Sequence, residues 1–363
     1  MRTLHQLQIR GFKSIRDQKL EFNPLNVFIG GNGSGKSNLV GAFHLLNRVS
    51  TQQLQIYTGE SGGANAILHF GRKHTEKLYF KVEFRIGTNA NLYDFELKPT
   101  DEDRFIFISE ATYYHDVARY PNPYSDELWS GHAEAHLSES THYIARHIRR
   151  HLDSYRIYHF HDTSSSAKMK QMGDVADNRF LRADSGNLAA FLYRLQEKEP
   201  DYFRNIEDTV RQIGPFFGGF KLAPSALNEE KIRLEWYERG SDTYFNASAL
   251  SDGTLRFMCL ATLLLQPMLP SLILIDEPEL GLHPAAIQLL AGLLQSAATR
   301  TQLIVATQSV TLVNQLLPEH VWVVEREDGQ SLFRQLQAAD MSSWLEDYGL
   351  GELWEKNILG GRP

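Results

Sequence analysis

Lys36 and Ser37 close the run Gly30-Gly31-Asn32-Gly33-Ser34-Gly35-Lys36-Ser37, which fits the spacing G-x-x-x-x-G-K-[ST]. Glycines at those places let the backbone bend until successive N–H groups point inward at phosphate oxygens. Lys36 would reach the β- and γ-phosphates, and the Ser37 hydroxyl would hold Mg²⁺. The cradle is expected to run from Gly30 to Asn38 and to hold a nucleoside triphosphate such as ATP. A Gly-rich surface turn is the plain alternative, against which the flanking sequence weighs. Asp276 and Glu277 form the second group able to do chemistry. Two adjacent acids at the end of a buried strand are costly without a cation. Asp276 would bind Mg²⁺ through water, and Glu277 would orient or deprotonate an attacking water. An acidic loop start is the alternative here.

These groups need elements to position them. Leu25-Asn26-Val27-Phe28-Ile29 reads as a short buried strand leading into the glycine loop, and Asn38 to Leu46 has apolar residues at helical spacing. That helix would turn the positive end of its dipole toward the phosphates. Leu272-Ile273-Leu274-Ile275 reads as a buried parallel strand, with the two acids at the C-terminal end where open α/β sheets bind ligands. Gln302 to Ala306 is another apolar strand, followed by Thr307-Gln308-Ser309. Ser251 is expected to cap an apolar helix, and Pro284, after His283, to open another.

The bulk composition narrows the rest. The 363 residues are 42% apolar, enough for a large core, and the net charge of −7 excludes a generally basic coat for nucleic acid. Cys259 is the single cysteine, so no internal disulfide forms, and its apolar helix points to inert burial in a reducing cytosol. The opening MRTLHQLQIRGFKSI alternates polar and apolar residues, unlike a secretory segment. The apolar run Leu260 to Ile275 is broken by Gln266, Pro267 and Pro270, so no membrane association is expected. No internal repeat or sustained heptad pattern is seen.

Longer phrases carry a family resemblance. Leu250-Ser251-Asp252-Gly253 resembles the signature of ABC-type ATPases, and DEPELGLHP is similar to their Walker B strand and D-loop. Ile9-Arg10-Gly11-Phe12-Lys13-Ser14 is similar to the opening strand of SMC, RecF and OLD ATPases, and the chain to its closing LGELWEKNILGGRP resembles a bacterial AAA-type ATPase of that group. The implied fold is α/β, a P-loop head with a mixed sheet flanked by helices and an inserted α/β lobe. The implied assembly is an ATP-dependent head-to-tail homodimer, in which Ser251 and Gly253 of one copy meet the γ-phosphate held by the other. Gly281 and His283 would lie in the D-loop, and Lys13 near the base or phosphates. Gln308 stands where ABC-type ATPases usually carry histidine. It can hydrogen-bond phosphate or water but cannot take up a proton, so turnover is expected to be slow. The usual Q-loop glutamine has no clear counterpart. By position, the stretch Arg156 to Asp162 replaces it, with His161 and Asp162 approaching Mg²⁺ or the water, or forming an ordinary polar strand end.

The expected division is residues 1–97 and 225–363 as two halves of the ATPase core, around a lobe at 98–224. Leu78–Ile86 and Leu92–Leu97 read as paired strands, and Ile232–Trp236 with Thr243–Ala247 as a hairpin. Thr141 to Leu152 reads as a helix carrying Arg146, His147, Arg149, Arg150 and His151, either a solvated face or a DNA phosphate contact. His132 and His136 read as one helical turn apart, a weak zinc signal. Tyr113, Tyr114, Tyr120 and Tyr124 would stack on bases or pack. Asn187 is expected to cap the helix Leu188 to Leu195. The favoured function is a DNA-associated ATPase that gates DNA or an effector, in DNA repair or phage defence. The chain ends soon after the last ATPase strands, so any TOPRIM-type nuclease is expected to be a separate protein. An ATP-binding scaffold and a transporter subunit are the alternatives; the transporter is disfavoured by the long spacing between Ser37 and Ser251.

Overall fold

A computed structural model describes residues 3–362. Its centre is a six-stranded sheet in the order Gln330–Gln335, Val321–Glu327, Leu25–Ile29, Gln302–Ala306, Leu272–Asp276, Tyr155–Tyr158. Every pairing in it is parallel except the outermost, Val321–Glu327 with Gln330–Gln335. The middle strands are apolar at nearly every position because both faces are covered. Val27, Ile273, Val305 and Val323 face one core, built with the helices Leu188–Lys198, Pro200–Ile213, Asp252–Leu265 and Pro284–Ala298. Phe28, Leu274, Ile304 and Val324 face a second core, built with the helices Lys36–Ser50 and Tyr143–Asp153 and a second sheet. That sheet is antiparallel throughout, in the order Ile15–Glu21, Thr3–Phe12, Leu78–Ile86, Asn89–Pro99, Phe105–Asp116, Tyr124–Glu127. The alternation of side chains along each strand therefore sorts one sheet between two cores. This is the expected mixed α/β head.

Residues 98–224 contribute to both sheets. Phe105–Asp116 extends the antiparallel one, and Tyr155–Tyr158 forms the edge of the central one beside Leu272–Asp276. Several local expectations shift. The hairpin runs Glu235–Glu238 with Tyr244–Asn246, while Ile232 pairs with Gly173 instead. Ile232, Leu234 and Trp236 are all buried, so the alternation continues unbroken while the hydrogen-bonding partner changes. Asn187 stands at the N-cap of its helix without capping it. Its amide accepts from the Arg182 N–H at 2.9 Å and donates to the Asp177 and Phe180 carbonyls, closing the preceding loop. His132 and His136 are not a helical pair. The His132 carbonyl accepts from the Phe107 N–H at 2.9 Å outside any helix, and His136 opens a short 3-10 turn. Their rings stack at 3.8 Å, with His132 Nε2 at 2.8 Å from Glu110.

Candidate functional site

The glycine loop follows the C-terminal end of the Leu25–Ile29 strand. Gly30, Gly33 and Gly35 take φ of 154°, 77° and 120°, which L side chains rarely adopt. A Cβ on Gly30 would lie 2.3 Å from the Val324 carbonyl oxygen, and one on Gly35 would lie 1.9 Å from Ser331 Oγ. Glycine is thus required on two counts, backbone angle and close approach. The helix Lys36–Ser50 opens at Gly35 with no side-chain cap and no acidic residue in its first turn, which leaves that end open to an anion. Lys36 folds back on the loop, its Nζ donating to the carbonyls of Gly30 and Gly31. Ser37 and Asn32 are exposed and Ser34 is buried. Asn38 Nδ2 donates to Ser14 Oγ at 2.6 Å, Ser14 Oγ lies 2.6 Å from Ser331 Oγ, and Ser331 donates to the Ser34 carbonyl at 2.6 Å.

Asp276 ends its strand two places from the loop's strand, with Gln302–Ala306 between. Glu277 follows at φ 45°, a strained angle of the kind concentrated at functional sites. Its N–H donates to the Ala306 carbonyl at 2.8 Å, and Gln308 Nε2 donates to its carboxylate. Glu279 accepts from Thr307 Oγ1 at 2.6 Å and from the Gln308 N–H at 3.0 Å, while its other oxygen is buried without a partner. Burial pulls the Lys36 amine below its ordinary pKa, opposed by Glu277, Asp276 and Glu279. Burial, and then Glu277, hold the Asp276 carboxyl above its ordinary value; burial does the same to Glu279. One lysine among these carboxylates leaves the site in need of a cation. The residues fit ATP with Mg²⁺: open amides and Lys36 for phosphate, and Asp276 with the exposed Ser37 for the metal.

Lys13, at φ 48°, places its Nζ over the Phe12 ring and within reach of Gly41 on the glycine-loop helix. Ser251 caps the helix Asp252–Leu265 by accepting from the Thr254 N–H at 3.2 Å. Gly253 packs against the D-loop, where a Cβ would lie 2.3 Å from the Gly281 carbonyl oxygen. Ser251, Gly281 and His283 are exposed, and His283 Nδ1 accepts from the Ala285 N–H at its own helix start. Of the stretch Arg156 to Asp162, His161 Nε2 lies 3.2 Å from the Asp276 carbonyl, whereas Asp162 accepts from the Ser164 N–H and hydroxyl.

Residues unassigned from sequence hold this site together. Buried Arg256 donates from Nε to the Phe160 carbonyl at 2.8 Å, from Nη2 to His161 at 3.3 Å and from Nη1 to Leu280. An arginine inside an apolar helix was the available signal. His44 Nε2 lies 3.3 Å from His159 Nε2. Burial, then His159, pushes the His44 pKa down to about 4. Ser331 and the closing segment carry no chemical signature. The Gly361 N–H donates to Glu325 at 3.0 Å, Trp354 Nε1 donates to the Gly361 carbonyl at 2.5 Å, and a Cβ on Gly31 would lie 2.7 Å from the Arg362 carbonyl oxygen.

The comparisons bear on family and fold. A profile of the family described as "AAA domain, putative AbiEii toxin, Type IV TA system" matches residues 25–314. Solved structures similar across almost the whole chain include Smc heads. One, bound to the C-winged helix domain of ScpA, has a TM-score of 0.63 at 17% identity and covers 94% of this chain and 99% of that one. A second, from Pyrococcus furiosus, bound to the C-terminal domain of ScpA, has a TM-score of 0.59 at 16% identity over 96% and 99%. The Thermotoga maritima SMC head has a TM-score of 0.51 at 15% identity over 92% and 99%. At such identities the likeness is one of fold. A DNA replication and repair protein RecF of Lactococcus lactis subsp. cremoris (strain MG1363) is 43% identical over 44 residues, so the match spans only 12% of either protein. Among the described residues no helix is long and apolar enough to cross a membrane.

Proposed function

The chain belongs to the AAA-domain family described as "putative AbiEii toxin, Type IV TA system", and from that membership we propose that it binds ATP with Mg²⁺ and hydrolyses it to ADP and phosphate. One observation carries the reading: the glycine loop with Lys36 and the Asp276–Glu277 pair stand at the ends of strands in one sheet, within electrostatic reach of each other. The loop amides and Lys36 bind the phosphates. Mg²⁺, when bound, neutralises charge on the phosphate oxygens, and Ser37 and Asp276 would hold it. Glu277 orients the attacking water and takes its proton. The Gln308 amide holds that carboxylate and supplies no base, which supports slow turnover.

The same reading makes the active unit a head-to-tail homodimer closed by ATP. Ser251, the D-loop and His283 form an exposed face suited to a second copy's phosphates, again at a helix N-terminus. Opening and closing would act on DNA or gate a separate nuclease or other effector in the cytoplasm, in DNA repair or phage defence. Arg146 and Arg150, exposed on the helix Tyr143–Asp153, are the proposed phosphate contacts. The test is light scattering of Glu277→Gln with ATP and Mg²⁺. A trapped dimer, twice the mass of the nucleotide-free protein, is expected, and a monomer at every nucleotide concentration would refute the shared site. Charge reversal at Arg146 and Arg150 should lower the salt dependence of DNA binding by roughly one or two in slope; an unchanged slope removes this helix from the contact.

A further inference from the structure

The strand Tyr155–Tyr158 pairs in parallel with Leu272–Asp276, with Tyr158 opposite Ile275. The residues leaving its end therefore run alongside Asp276. His159, His161 and Asp276 each present one ligand atom, all within 4.8 Å of one another. The stretch between the histidines is fixed rather than loose. Phe160 is 3% exposed, and Arg256 donates to the carbonyls of Phe160 and His161. Behind His159 stands His44 on the glycine-loop helix, Nε2 to Nε2 at 3.3 Å, the rings parallel within 9°.

We propose that His159, His161 and Asp276 form a site for a first-row transition divalent cation that accepts imidazole, in preference to Mg²⁺, with Mn²⁺ as its paramagnetic probe. The proposal rests on the ATP reading for its place in the cycle, because Asp276 is shared with the nucleotide's metal. The chemistry of the donors carries the selectivity. Mg²⁺ is small and hard, demands oxygen ligands in octahedral geometry and gives up its waters reluctantly. Imidazole suits first-row transition ions, and two imidazoles with one carboxylate bind them in the order that rises from Mn²⁺ toward Cu²⁺. A metal-bound histidine commonly passes its other ring N–H to a partner that fixes tautomer and orientation. With His44 Nε2 accepting from His159 Nε2–H, Nδ1 of His159 would be the ligating nitrogen. An oxygen-only site with glutamine in place of these histidines would lack that preference.

The experiment uses the full chain, stripped with chelator and without nucleotide, titrated with Mn²⁺. Free Mn²⁺ is followed by its EPR signal, and the bound ion by pulsed EPR for coupling to ¹⁴N. The expected result is a bound Mn²⁺ showing histidine nitrogen coupling, displaced by Mg²⁺ only in large excess. Joint His159→Gln and His161→Gln should lose the coupling and weaken binding by roughly tenfold or more, with His44→Gln costing less. Absence of nitrogen coupling in the wild type, or unchanged Mn²⁺ affinity in the double variant, overturns the proposal. The wild-type spectrum decides even if the variant fails to fold. Binding of a fluorescent ATP analogue in Mg²⁺ separates the two readings. Retained nucleotide binding without nitrogen coupling removes the imidazole site alone. Loss of nucleotide binding in Lys36→Ala with Mn²⁺ bound shows that the metal site stands independently.

Discussion

Gly35→Ala should destabilise the protein without any ligand present, through a residue 296 positions away in the chain. The new Cβ would lie 1.9 Å from Ser331 Oγ, 2.7 Å from Ser331 Cβ and 3.1 Å from Ser14 Oγ. Ser331 has little room to retreat, because its hydroxyl is bonded at 2.6 Å both to Ser14 and to the Ser34 carbonyl. Forced overpacking of this kind costs about 1–3 kcal/mol. A side chain at φ 120° adds strain of about 1–3 kcal/mol. Together they predict a loss of about 2–6 kcal/mol; with an m-value of about 3 kcal/mol/M in urea, the midpoint falls by roughly 1–2 M. Ser331→Gly removes both clashing atoms but leaves the strain. A double-mutant cycle should therefore show a favourable coupling of about 1–3 kcal/mol between the two sites. Urea unfolding of wild type, both single variants and the double variant, all nucleotide-free, supplies the numbers. Additivity would refute the close approach between loop and strand, and a Gly35→Ala variant as stable as wild type would refute the strain as well.

Lys36→Ala should abolish ATP binding, because backbone amides alone do not neutralise the β/γ charge; equal affinity for a fluorescent nucleotide would sink that role. Arg256→Ala strands the carbonyls of Phe160, His161 and Leu280 and should cost about 3 kcal/mol in urea unfolding, with Arg256→Lys recovering little of it because an ammonium cannot span three acceptors. Full recovery by lysine would show that charge alone matters there. Cys259 is fully buried and its thiol is pushed up to about 12 by burial, so iodoacetamide should label it only on unfolding; rapid native labelling would contradict its placement. Gln308→His should raise ATP turnover if a proton acceptor is what this position lacks, and an unchanged rate would move the limit to dimer closure.

What the sequence made legible is what obeys local rules. The strand–glycine–helix order around Lys36 follows from backbone angles and from a buried strand that is apolar at every position but Asn26. The acids after Ile275 follow from the cost of burying charge. These constraints act within a few residues, so a pattern search finds them. Ser331, Arg256, Glu279 and His44 obey no local rule. Each matters through a contact made when distant strands pair. Ile232 shows the same limit in reverse: its alternation with Leu234 and Trp236 is correct for burial yet silent about which strand it bonds. The His132–His136 spacing likewise suits a helix, but the His132 carbonyl is taken by the Phe107 N–H of a distant strand, and that tertiary bond overrides the period.

The long-range contacts share a direction. The glycine loop is braced by Ser14 from the antiparallel sheet, by Ser331 and the Val324 carbonyl from the edge of the central sheet, and by the Arg362 carbonyl from the closing segment. On the other side, Arg256 ties the signature helix to the His159–His161 stretch and to the D-loop, while Glu279 ties the D-loop side to Thr307 and Gln308. The first set has little freedom, because glycines are wedged against backbone oxygens. The second consists of hydrogen bonds that can exchange partners, with one Glu279 oxygen still unpaired in the interior. A ligand that draws Lys36 off the Gly30 and Gly31 carbonyls would therefore leave the loop standing. Its effect would instead fall on the Glu277–Gln308–Glu279 bonds, which lead directly to the exposed D-loop and signature face. On the proposed function, rigidity falls where phosphate would be gripped and exchangeable bonds fall where a second copy of the chain would sense it.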